Sequence, residues 1–163
     1  MTKFILHGGY ERADNELNRT FYEELVRDIP DAGKVLLVYF ASEPDDIQGK
    51  FVEQVERIKE QSHGKNLFFT LATEENFLDE LRHSAAVHFR GGDTRKLLSI
   101  LRTYPDFSSL LEGKTVSGSS AGAYALVRLG AAHSQETVRE GLGFLMLRLV
   151  CHYESPDLPP SAG

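Results

Sequence analysis

Short apolar runs alternate along the chain with segments of helical periodicity. The apolar runs predict six strands, at residues 4–6, 35–40, 67–71, 85–89, 114–117 and 147–151. Between them, apolar side chains recur every three to four positions, which predicts helices over residues 17–29, 47–58, 77–81, 97–101 and 121–129. The run at 35–40 has no polar alternation, as is typical of a strand covered on both faces.

Strands that alternate with helices in this way predict a parallel sheet with helices on both sides. We therefore expect an α/β protein, a three-layer α/β/α sandwich with a mostly parallel, flavodoxin-like sheet. Residues 1–154 are expected to form a single domain. Residues 155–163 contain three of the six prolines and are expected to form a flexible C-terminal tail.

Composition narrows the range of functions. The chain has 163 residues and a net charge of −6, which argues against general nucleic-acid binding. No apolar run approaches the roughly 20 residues of a membrane helix. Cys151 is the single cysteine, so an internal disulfide is excluded and a reducing, cytoplasmic location is expected.

A serine follows the fifth predicted strand in a G-x-S-x-G pattern formed by Gly118, Ser120 and Gly122. This pattern is typical of a nucleophile elbow, a sharp strand-to-helix turn that exposes one hydroxyl. The small neighbours fit such a turn because strand and helix nearly touch there. An ordinary glycine- and serine-rich loop is the alternative.

A serine hydroxyl needs a base to remove its proton. Six histidines are present, and His152 is the preferred base because it follows the last predicted strand. The carboxyl ends of parallel strands meet at one edge of the sheet, where Ser120 is also expected. His7 and His133 are alternatives for the base.

The base in turn needs a carboxylate to orient its ring. Glu136 and Glu140 lie between the serine and His152 in the chain. Glu136 is preferred, since its loop could pass the active edge of the sheet, although a solvated surface role is an equal alternative.

An oxyanion hole requires two backbone N–H donors near the attacked carbonyl. Ala121, directly after the serine, is expected to supply one. Gly92 is expected to supply the other, because the glycine turn at 91–92 allows a close backbone approach. No spacing typical of a metal site or of a nucleotide-binding loop is present, so neither a metal nor another cofactor is predicted.

These segments together resemble a known family. The elbow at 118–123 (GSSAGA), the turn at 91–94 (GGDT) and the segment 151–153 (CHY) are similar to the serine peptidases of the dipeptidase E and cyanophycinase family. That family shares a fold with class I glutamine amidotransferases. The resemblance implies a cofactor-independent hydrolase in which Ser120 is the nucleophile, His152 the base and Glu136 the acid.

Two departures from the family pattern affect the prediction. Arg90 and Asp93 stand where relatives often have glycine and asparagine, and Arg90 could face an acidic substrate group or form a surface salt bridge. The chain also ends soon after His152, where relatives continue, so a partner subunit could cover one edge of the sheet. A homodimer is therefore a possible assembly.

The resulting prediction is a serine peptidase acting on short peptides with an N-terminal aspartate. The alternatives are a cyanophycinase-like or esterase-type serine hydrolase, and a catalytically silent binding module of the same fold. The expected partner is a short peptide substrate, with neither nucleic acid nor membrane involved.

Overall fold

The structure of the protein is a computed structural model, which describes residues 1–45, 47–131 and 138–152. Its centre is a five-stranded sheet in which every neighbouring pair of strands is parallel. The strand order is β1-β5-β4-β2-β3. The neighbouring strands β3, β2, β4 and β5 have the relative order of the first four strands of a flavodoxin-like sheet. Strand β1 lies next to β5 and forms the remaining edge of the sheet. The strands are β1 (Lys3–His7), β2 (Lys34–Val38), β3 (Phe68–Leu71), β4 (Ala86–Phe89) and β5 (Thr115–Ser119).

Helices connect these strands and cover both faces of the sheet. The helices are α1 (Glu16–Val26), α2 (Ile47–Glu60), α3 (Phe77–Arg82), α4 (Thr94–Leu101) and α5 (Ala121–Leu126), with a 3₁₀ helix at Phe107–Leu111. Helix α4 begins three residues earlier than predicted, because the Asp93 carboxylate accepts hydrogen bonds from the N–H groups of Arg95 and Lys96 and so caps the helix. Within the described residues, no helix has the length and apolar character needed to cross a bilayer.

The hydrophobic core consists of two layers, one on each face of the sheet. Successive side chains of a strand point to opposite faces. Val35 and Leu37 of β2 therefore pack against α1 and α2, whereas Leu36 and Val38 pack with α3, α4 and α5 on the other side. All four side chains are fully buried, so the three-layer α/β/α sandwich predicted from the apolar run is confirmed.

The chain departs from the predicted pattern after α5. The helix ends at Leu126, three residues earlier than predicted, and continues directly into a strand. Leu142 and Gly143 donate backbone hydrogen bonds to the carbonyls of Ala125 and Val127, at 2.8 and 3.2 Å. The segment at 142–143 thereby supplies hydrogen-bond donors to carbonyl groups that have no partner within the helix at its C-terminal end. Because the partners are distant in the chain, local periodicity could not indicate this end.

The last predicted strand exists but does not join the central sheet. Strand β8 (Leu145–Val150) pairs in parallel with β6 (Val127–Ala131), which also pairs antiparallel with β7 (Val138–Glu140). These strands form a separate three-stranded sheet. The expectation that His152 follows a strand of the main sheet is therefore wrong.

Candidate active site

Ser120 lies in a strained turn between β5 and α5. Its backbone angles are φ 48° and ψ −108°, outside the regions that non-glycine residues normally adopt. Its N–H donates a 3.0 Å hydrogen bond to the carbonyl of His7, which ties the turn to β1. Strain of this kind persists only where surrounding contacts enforce it, and it is common at functional sites.

The two glycines of the motif allow the strand and helix to touch. A methyl group at Gly118 would lie 2.5 Å from the carbonyl carbon of Gly122. A methyl group at Gly122 would lie 2.6 Å from the carbonyl carbon of Phe89 on β4. The G-x-S-x-G spacing therefore has the close-approach role that the sequence predicts.

The side chain of His152 reaches the serine. Ser120 Oγ and His152 Nε2 lie 2.8 Å apart, within hydrogen-bond distance. The backbone N–H of His152 donates to the carbonyl of Gly8 at 2.9 Å. Gly8 directly follows β1, which is the edge strand of the central sheet. His152 thus approaches along the open edge of β1, and not from a neighbouring parallel strand.

The loop after β1 shapes the position of the His152 ring. Gly9 has φ +119°, and a methyl group there would lie 2.6 Å from His152 Nδ1 and 2.7 Å from Nε2. Tyr10 makes an edge contact with the same ring, with 4.9 Å between centroids. The imidazole therefore occupies space that only a glycine at position 9 leaves open.

His7, an alternative base in the sequence, has a different place in this site. Its Nε2 lies 2.8 Å from Asn18 Oδ1, and its Nδ1 accepts a 3.1 Å hydrogen bond from the Gly9 N–H. Burial lowers the pKa of His7 below 6.5, consistent with a neutral ring that accepts at Nδ1. The Asn18 amide also donates to the carbonyls of Tyr10 and Ala13, so the pair braces the loop beside His152.

Tyr124 links the serine helix to the histidine segment. Its hydroxyl accepts a 2.8 Å hydrogen bond from the Cys151 N–H and donates a 2.7 Å bond to the Ala131 carbonyl. Its own N–H donates to the Ser120 carbonyl at 2.9 Å.

Burial raises the pKa of the Cys151 thiol to about 11, so this cysteine stays protonated and packs in the interior.

The predicted oxyanion donors also lie beside the serine. Ala121 is the first residue of α5 and is fully buried. At the glycine turn, a methyl group on Gly91 would lie 3.2 Å from Ser120 Cβ. Gly92 has φ +147°, and a methyl group there would lie 2.7 Å from the carbonyl carbon of Ala41. Position 92 thus requires glycine, whereas position 91 leaves only a tight fit beside the serine.

The structure brings together four of the five predicted site residues. Ser120 and His152 are in hydrogen-bond contact, Ala121 directly follows the serine, and Gly92 lines the same cleft. Glu136 lies outside the described residues, as does the alternative base His133.

An open cleft of about 420 Å³ lies in front of Ser120, on the side of the glycine turn. We call it the catalytic cleft; its walls include Ser120, His152, Gly91, Gly92, Arg90, Glu11 and Arg12. Arg90 is 8% exposed, and its guanidinium carbon lies 5.0 Å from the centre of the Tyr39 ring. Arg12 is half exposed and forms a 2.5 Å ion pair with Glu53.

Glu11 is a buried carboxylate that the sequence did not single out. Its Oε2 lies 3.1 Å from Nε2 of the fully buried His88, whose Nδ1 lies 2.9 Å from Ser117 Oγ. Burial by itself raises the pKa of Glu11, but the adjacent His88 and the nearby Arg90 outweigh it and hold that pKa below 4.5. The cleft wall therefore carries a buried anion next to a cation.

We expect Glu11→Gln to lower the free energy of unfolding at pH 7 by about 1–3 kcal/mol, because it removes the charge of a buried carboxylate that contacts His88 and is stabilised by Arg90. A folded-state pKa below the unfolded value stabilises the fold above pH 4.5, and this contribution is lost as pH falls through the lower value. The difference between wild type and variant should therefore shrink on acidification from pH 5. Urea unfolding at several pH values measures it.

Glu23→Gln is the control for this change, since Glu23 is exposed and lies 3.6 Å from His63. It should alter the free energy of unfolding by less than about 0.5 kcal/mol. An equally small effect of Glu11→Gln would contradict the structural role given to the buried pair.

The fold and site define a class: an α/β/α protein with a serine in a strained elbow and a histidine in contact with it. Solved structures of the same architecture exist. A peptidase from an acI-B1 Actinobacterium superposes with a TM-score of 0.68 at 21% identity, over 99% of this chain and 73% of that chain. A candidate peptidase E protein from Listeria monocytogenes EGD-e superposes with a TM-score of 0.62 at 15% identity, over 90% of this chain and 77% of that chain.

The family follows from a comparison of sequences. A family model of peptidase family S51 matches residues 4–160, so the chain belongs to peptidase family S51. It is a hydrolase, a serine peptidase of the dipeptidase E type. The family resemblance predicted from the three short segments is confirmed. No curated protein matches the chain significantly.

Proposed function

We propose that the protein hydrolyses short peptides with an N-terminal aspartate, with Ser120 as nucleophile and His152 as base. The observation that carries this proposal is the 2.8 Å contact between Ser120 Oγ and His152 Nε2 at the strained elbow. A nucleophile and a base within hydrogen-bond reach are the first requirement for acyl transfer.

The reaction proceeds in two halves. His152 Nε2 takes the hydroxyl proton as Ser120 Oγ bonds to the peptide carbonyl carbon, and backbone N–H groups of Gly92 and Ala121 stabilise the oxyanion. His152 then donates that proton to the departing amine, and an acyl-enzyme remains. A water molecule, activated by His152, releases the acid and restores Ser120. Glu136 is proposed to orient the His152 ring.

The charges of the catalytic cleft support an aspartyl substrate. An N-terminal aspartate carries an ammonium group and a side-chain carboxylate close together. The residues that line the cleft include one with a carboxylate, Glu11, and two with guanidinium groups, Arg90 and Arg12. Guanidinium groups bind carboxylates in a bidentate geometry, and the anion suits an ammonium group.

A panel of dipeptides tests the proposed substrate class. We expect kcat/KM for Asp-Leu to exceed that for Asn-Leu and Ala-Leu by about a hundredfold, because only the aspartyl carboxylate can accept charge-assisted hydrogen bonds from guanidinium groups. A β-aspartyl-arginine dipeptide and an aryl ester extend the panel. Faster turnover of either one than of Asp-Leu would favour the cyanophycinase-like or the esterase-type function instead.

A pair of arginine variants sharpens this test. Arg12 and Arg19 are similarly exposed and both pair with a carboxylate, Arg12 with Glu53 and Arg19 with Asp14, but only Arg12 lines the catalytic cleft. Arg12→Gln should lower kcat/KM for Asp-Leu about tenfold with little effect on Ala-Leu. Arg19→Gln should change neither value. Equal losses on both substrates would contradict a role of Arg12 in carboxylate recognition.

A further inference from the structure

A second cavity, of about 630 Å³, lies on the other side of His152 from the catalytic cleft. We call it the β1 groove; its walls include Ile5, Leu17, Phe21, Val150 and His152. His152 and Tyr10 border both cavities. The base therefore stands between the two spaces, with the serine hydroxyl on the cleft side.

The position of the base assigns the two halves of a peptide to the two cavities. The same imidazole that deprotonates the nucleophile must protonate the departing amine, so the leaving group passes next to it. The acyl half faces the glycine turn, where the oxyanion donors are proposed. The leaving half is then directed past His152 toward the β1 groove.

The groove has a mostly apolar wall and an open strand edge. Leu17 is 80% exposed and Val150 is 46% exposed, so both present apolar surface to solvent. The Glu24 carboxylate in the wall is already paired with Lys3 and Arg27. Among the described residues, no strand pairs with the outer edge of β1, and the backbone N–H and C=O of Leu6 point to that edge, since the His7 carbonyl faces β5.

From this arrangement we infer that the β1 groove is the leaving-group subsite and accepts an apolar residue directly after the aspartate. The inference rests on the proposed function, because it uses Ser120 and His152 as the reacting pair. An apolar side chain would cover Leu17 and Val150 and remove their surface from water. The peptide backbone beside it can hydrogen-bond to the open edge of β1, as extended peptides do at other sheet edges.

The first test compares leaving residues with the acyl residue held constant. Wild-type kcat/KM should be at least about tenfold higher for Asp-Leu and Asp-Phe than for Asp-Gly and Asp-Lys. An absent or reversed preference, with Asp-Gly or Asp-Lys hydrolysed equally well, overturns the inference while the proposed function stands.

The second test changes the groove itself. The double variant Leu17→Gln/Val150→Gln should lower kcat/KM for Asp-Leu about tenfold and for Asp-Gly by less than threefold. Met146→Gln is the matched control, since Met146 lies on β8 with Val150 and is 72% exposed, but is not among the groove residues. It should leave both substrates unchanged.

Two further measurements separate the possible failures. The rate at which a fluorophosphonate labels Ser120 should be the same in all variants, since the reagent needs no leaving residue. Sedimentation should show one unchanged oligomeric state. A lost dimer with equal losses on both substrates would assign the groove to a second copy of the chain and overturn the inference. If wild type labels at Ser120 but cleaves no aspartyl peptide, the proposed function fails and the inference with it.

Discussion

Ser120→Ala is expected to lower kcat on an aspartyl dipeptide by about four to six orders of magnitude, the range found when a catalytic serine is removed. The alanine leaves no atom to bond to the substrate carbonyl carbon, whereas the oxyanion donors still contribute modestly. The fold should survive, because the contact described for the Ser120 hydroxyl is with the catalytic His152. The hydrogen bond from the backbone N–H of residue 120 to the His7 carbonyl is unaffected by the substitution.

Ser119→Ala is the matched control for the loss of a hydroxyl in this segment. Ser119 directly precedes the nucleophile and is buried, with its Oγ 3.4 Å from His7 Nδ1. Its replacement should reduce kcat less than tenfold and should preserve the fluorophosphonate adduct, which Ser120→Ala abolishes in an intact-mass measurement. Turnover by Ser120→Ala near that of wild type would refute the nucleophile assignment.

Gly9→Ala is expected to lower kcat/KM by about a hundredfold while the protein remains folded. The added methyl group would overlap the His152 ring, and the imidazole is the group that can move. A displacement of about 1 Å suffices for such a loss, because proton transfer depends on the distance between the serine oxygen and the base. The labelling rate of Ser120 should fall in parallel, since it depends on the same base.

Backbone strain at Gly9 needs its own control, since its φ is +119°. Gly64 also has a positive φ, +84°, and has open space around it. It lies after α2, on the side where β3 begins, away from the serine. In urea unfolding, Gly64→Ala should therefore lower the free energy of unfolding by the strain of an alanine at positive φ. It should leave kcat/KM unchanged. Equal activity of the two variants would show that Gly9 does not position His152.

The sequence predicted those parts of the site that depend on local geometry. Gly118 and Gly122 flank Ser120 because adjacent backbone segments touch there, and such contacts impose residue types at fixed spacing. The glycine turn at 91–92 follows from the same constraint. Glu11 and Tyr124 escaped detection because each acts on a partner far away in the chain. The glycines at 8 and 9 marked the end of a strand at the active edge, but the contact of Gly9 with His152 could not be predicted for the same reason.

The order of residues along the chain by itself determined the alternation of strands and helices, the two-faced burial of β2 and, through the spacing of Gly118 and Gly122, the elbow that carries Ser120. Each of these depends on neighbours within a few positions, where side-chain period and steric limits act directly. Only the tertiary structure decided that β8 leaves the central sheet and that His152 reaches the serine along the open edge of β1. Strand pairing and the approach of an imidazole join residues distant in the chain, and local periodicity carries no information about such pairs.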